Sequence, residues 1–159
     1  MLSRVKQIGP RLMIAVASLT VLSGCDGNSN GIQVQHLDTD NARQGLAQLQ
    51  IVLPDGFEAE DVTRITSFTG KPAYTGRFDG PDATEVVAPE FNRLNPDTPI
   101  EEVPCRAVPW NGSWQKLGFV CTSDALLTQL RKPDGNNISI VLQPGVDGTT
   151  QLFVEVPGT

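Results

Sequence analysis

Alternation of apolar and polar positions is clearest near the end of the chain. In residues 137–143, Ile138, Ile140 and Leu142 fall on one side, and in residues 149–156 Leu152, Val154 and Val156 do the same. Period-two alternation predicts half-buried strands. The intervening Pro144-Gly145-Val146-Asp147-Gly148 predicts a hairpin connection. Residues 62–69 alternate as well and are rich in β-branched side chains, and Gly70-Lys71-Pro72 turns them into a second strand over 73–78. Residues 46–53 have the composition of a further strand, ended by Pro54-Asp55-Gly56.

A different spacing follows Ser123. Leu126, Leu127 and Leu130 form an apolar stripe at helical spacing, Asp124 sits near the positive end of the run and Arg131 and Lys132 near its negative end. Ser123 can cap it and Pro133-Asp134-Gly135 can stop it, so a helix is expected over about 123–132. Residues 79–104 hold seven acidic residues against one basic, with prolines at 81, 89, 96, 99 and 104. A short helix over 82–88, limited by Pro89, is the most this stretch allows; the rest is expected as a long loop, functional or poorly ordered. Together these elements predict an α+β fold: antiparallel β-hairpins with one helix, about 123–132, packed on the sheet.

The first 24 residues have another character. Arg4, Lys6 and Arg11 stand without an acidic residue, an 11-residue apolar run covers 12–22, and small residues follow. This is the pattern of a secretory signal. As a helix the run would rise only about 16 Å, roughly half a hydrocarbon core, too short for a lasting span. Its end, Leu22-Ser23-Gly24-Cys25, resembles the lipobox of bacterial lipoproteins. The resemblance implies that the Cys25 thiol carries a diacylglyceryl group, that cleavage falls just before it, and that its new amine is acylated. Several acyl chains anchor stably where one does not. Asp26 resembles the signal for retention at the inner membrane, which favours that membrane over the outer one, with the domain facing the periplasm. The chain then divides into a removed signal (1–24), a lipidated N-terminus and polar flexible tether (25–44), and a single domain (45–159).

Removal of the signal changes the charge. The whole chain carries −6; nine basic residues against eighteen acidic remain once the three basic residues of 1–24 are gone, a net of −9. No dense cationic face exists to displace counterions, so nucleic acid is excluded as a partner. Acyl chains at Cys25 would bind the bilayer, and the domain would meet an envelope protein or glycan, with acidity favouring a basic partner.

With Cys25 assigned to lipid, Cys105 and Cys121 form an even pair in an oxidising compartment. Apolar arms flank Asn111-Gly112, a hairpin signal, and pairing around Ser113 would set the two cysteines opposite each other. A disulfide-stapled hairpin is expected. Fifteen intervening residues with no nearby His argue against a metal site. Trp110 and Trp114 lie at its turn, either as an exposed interaction tip or as a cross-strand pair over the core.

Catalytic and metal-binding patterns are weak. Asp26-Gly27-Asn28-Ser29-Asn30-Gly31 opens like a Ca²⁺ loop, but the twelfth position is Leu37 instead of a carboxylate. Ser113-Trp114-Gln115-Lys116 matches S-x-x-K in a turn, where that chemistry needs a helix start. His36, the single imidazole, falls in the expected tether, where it cannot be held as a general base. Carboxylates at Glu58, Glu60 and Asp61, or at Glu101 and Glu102, could serve a glycan hydrolase only if two flank a cleft. The expectation is a non-catalytic binding or scaffolding module without metal or cofactor; the alternatives are a carboxylate-based hydrolase of cell-wall or surface glycan and an inhibitor of an envelope-directed enzyme.

Overall fold

The hairpins with the clearest alternation lie at the centre of one sheet. The computed structural model describes residues 31–67, 70–109, 112–121, 125–131 and 137–158; Cys25, Asp26 and Trp110 lie outside them. Along the chain run β1 (Gln33–Leu37), α1 (Thr39–Gln48), β2 (Glu58–Thr66), β3 (Ala73–Gly80), α2 (Thr84–Leu94), β4 (Glu101–Val103) and a 3-10 turn (Cys105–Ala107). There follow α3 (Gly112–Lys116), β5 (Ala125–Arg131), β6 (Asn137–Pro144), a second 3-10 turn (Val146–Gly148) and β7 (Thr150–Val156). All seven strands form an antiparallel sheet in the order β1-β2-β3-β7-β6-β5-β4. The fold is α+β, with a disulfide between Cys105 and Cys121.

Both faces of the sheet are covered near its middle. On one, α1 and α2 bring Ala42, Leu46, Val87 and Phe91 onto Val62, Tyr74, Phe78, Ile140, Leu142, Leu152 and Val154. On the other, Val108, Trp114 and Phe119 pack over Ala125, Leu127, Val141 and Phe153. The apolar positions 138, 140, 142, 152, 154 and 156 all belong to the helix-side core, so the period-two reading assigns them correctly.

The helix expected over about 123–132 is instead β5. Its leucines serve two cores: Leu126 and Leu130 pack on the helix side, Leu127 on the other. A strand buried on both faces has a continuous apolar run that periodicity alone does not separate from a helical stripe. Ser123, Asp124 and the expected stop at 133–135 lie outside the described residues.

Residues 33–44, expected as part of a flexible tether, instead belong to β1 and α1, which with the Asp38 cap between them occupy 33–48. Asp38 caps α1, its carboxylate accepting from the Asn41 N–H at 2.9 Å, and Ala42 and Leu46, one turn apart, form the buried stripe with Gly45. The strand expected over 46–53 therefore gives way to the end of α1, and Ile51 and Leu53 are buried without regular structure. Residues 79–104 contain α2 and β4 where a loop is expected. Pro89 does not end α2; the carbonyl it leaves without an N–H belongs to Glu85, on the exposed side where water can take it, while Thr84, Val87 and Phe91 are buried.

Candidate binding face

Cross-strand register gives the side away from α1 and α2 a specific order. His36 faces Thr63, Thr63 faces Thr75, Thr75 faces Glu155, Glu155 faces Ser139 and Ser139 faces Gln129. One row of hydrogen-bonding side chains thus crosses six of the seven strands. His36 and Gln129 at its ends are exposed, and the four residues between them are half-buried. Two of its groups are unusual. Burial pushes the Glu155 carboxyl above its ordinary range, and the Thr75 hydroxyl oxygen is buried with no hydrogen-bond partner. Such a hydroxyl is costly to leave unmatched.

The next row runs Asp61, Arg77, Phe153, Val141, Leu127 and Glu101. Trp114 and Phe119 cover its apolar centre. At its polar end a groove of about 460 Å³ opens between Glu60, Asp61 and Arg77 on the sheet and Lys116, Leu117 and Gly118 after α3. Arg77 is committed: its guanidinium forks onto Asp79 at 2.7 and 2.5 Å and donates to the Leu117 carbonyl at 3.3 Å. The Asp79 hydrogen bond raises its pKa further, opposed by burial. Arg77 therefore ties the segment after α3 to the sheet.

Residues 105–121 do not form the expected hairpin. They hold a 3-10 turn and α3, and the disulfide nevertheless forms, with the two Cα atoms 5.8 Å apart. The physical reason is Trp114. It is fully buried, its ring meets Phe119 and Phe153, and its indole N–H donates to the Val154 carbonyl at 3.2 Å. The helical turn of α3 lays that ring on the sheet against Phe119 and Phe153. Trp114 is a core residue and does not serve as an exposed tip.

His36 lies on β1, not in a tether. Its side chain is 80% exposed, with Nδ1 3.6 Å from Asp61 and 3.5 Å from the Thr63 hydroxyl. The carboxylates considered for glycan hydrolysis separate. Glu58 on β2 and Glu101 on β4 are five strand spacings apart, about 24 Å, against at most ~9.5 Å for a hydrolytic pair. Glu101 and Glu102 are consecutive on β4 and point to opposite faces. Glu60 and Asp61 share the groove, both exposed. Among the described residues no three His, Cys, Asp or Glu side chains converge as a metal site, and no helix is long and apolar enough to cross a membrane.

The row of Thr63, Thr75, Ser139 and Glu155 escapes sequence reasoning. Each is visible as the polar member of an alternation, but their alignment depends on the β3–β7 pairing, which joins segments some 80 residues apart. Comparison with family models, curated proteins and solved structures gives no match.

Proposed function

We propose that this chain is a lipid-anchored lipoprotein of the bacterial cell envelope whose domain is a non-catalytic binding module, docking an envelope protein or glycan on the open sheet face. The observation that carries the docking reading is the polar row itself, where the half-buried Thr63 and Ser139 and the partly desolvated Glu155 carboxyl would gain from a partner's hydrogen bonds. A flat face with half-buried hydroxyls offers many weak contacts and no focused reaction centre.

The anchor reading rests on Leu22-Ser23-Gly24-Cys25, and the Cys105–Cys121 bond suits an oxidising compartment. Eight residues take the chain from Cys25 to Gln33, at most about 28 Å when fully extended. The domain would therefore ride close to the leaflet, and its partner would have to reach that level. Asp26 favours the inner membrane, periplasmic side.

Two experiments test this. Mass spectrometry of native material should find an acylated Cys25 at the new N-terminus, and Cys25→Ser should move the protein out of the membrane fraction. Photo-crosslinkers placed at Thr63 and Ser139 should capture a discrete partner that one at Val86, exposed on α2, does not. Equal capture from all three positions would remove the open face as the docking site.

A further inference from the structure

β5 is longer than the strand beside it. β4 has three residues and pairs only with Ala125, Leu126 and Leu127, whereas β5 continues to Arg131. The last four residues of β5 thus have no strand partner on that side among the described residues. The chain before β4 does not extend the ladder: the Ile100 N–H and C=O are bonded to the Asn92 carboxamide, and Pro99 has no N–H to contribute. It passes at a distance and leaves a notch of about 350 Å³ between residues 97–99 and residues 127–130.

Three features of this notch describe its occupant. A free strand edge directs main-chain N–H and C=O groups outward at alternate residues, which templates another extended chain. Four residues of edge span about 13 Å, enough to register a short strand. Asp97 and Glu101 line the notch, both exposed, and no Lys or Arg is among the described residues that line it. We propose that the notch binds an extended basic segment of another protein as a strand added beside β5, in line with β4. A second copy of this acidic chain suits it less, since like charges would meet. The inference does not depend on the lipid anchor or on the polar row.

The probe is an eight-residue peptide of alternating Lys and Val with blocked ends, titrated into the full chain at low salt. Controls are the same peptide N-methylated at every second residue and a Glu-Val counterpart. Binding should weaken about tenfold or more with either control, and with Asp97→Lys combined with Glu101→Lys, while Asp40→Asn, exposed on α1 near the opposite end of the sheet, leaves it unchanged. Bound peptide should slow hydrogen exchange within 128–131. The peptide controls stay decisive even if the double variant folds poorly. The inference is overturned by no binding at about millimolar peptide, by indifference to N-methylation, or by protection at the other sheet edge, Gln33–Leu37.

Discussion

Asn95 does for Val52 what a neighbouring strand would do. Its carboxamide oxygen accepts from the Val52 N–H and its amide group donates to the Val52 carbonyl, both at 2.8 Å, with a further bond to the Phe91 carbonyl. The side chain is buried, so water cannot replace it. One carboxamide thereby joins the end of α2 to the segment that follows α1.

Asn95→Ala should lower stability by about 3 kcal/mol, since it leaves the Val52 donor and acceptor without their partner. Asn95→Asp should also destabilise at neutral pH, because a carboxylate would face two carbonyl oxygens. Urea unfolding of the two variants checks this; a loss under about 1 kcal/mol for both would show that the segment is held by other contacts.

Trp114 is the keystone of the smaller core. Trp114→Ala should cost about 3–5 kcal/mol, through the lost ring contacts with Phe119 and Phe153 and the cavity left over the sheet. Thermal melting by circular dichroism reads this directly. Were the ring exposed as a docking tip, the same substitution would leave the melting temperature nearly unchanged.

The Cys105–Cys121 bond closes a loop with a sequence separation of 16. Cys105→Ala with Cys121→Ala should destabilise the domain by about 3 kcal/mol, mainly by freeing the unfolded chain. Refolding of the variant with its sheet intact, as judged by far-ultraviolet circular dichroism, is expected, because most of the helix-side core lies outside this loop.

Glu155 should make stability depend on pH in an unusual direction. Burial raises its folded pKa above the ordinary 4.5. Between those two values the folded state holds a proton that the unfolded chain has released, so this group's contribution is present below 4.5 and is lost as pH rises through the folded value. Glu155→Gln should raise the melting temperature at neutral pH and flatten its dependence on pH. Melts from about pH 4 to about pH 8 decide it; an unchanged profile would mean that Glu155 is solvated.

Local patterns were legible wherever short-range chemistry set the outcome. The β2–β3 and β6–β7 hairpins follow from alternation and turn residues over stretches of about 20 residues. α1 was not legible: apart from Ala42, Gly45, Leu46 and Ala47, its sequence is polar, and its helical state rests on the Asp38 cap and the core it reaches. β5 was misread because Leu126 and Leu127 enter different cores, a fact about two faces that one segment does not contain.

The sequence by itself determined the α+β class, the two hairpins, the pairing of Cys105 with Cys121, and the chain's acidic balance. Those outcomes depend on neighbours along the chain and on composition. Tertiary structure decided that Trp114 is buried, that six polar side chains from six strands share one row, and that β5 outruns β4 to leave an open edge. Each of these is set by the lateral order of strands, which is a compromise over the whole sheet between burying apolar faces and pairing every backbone group.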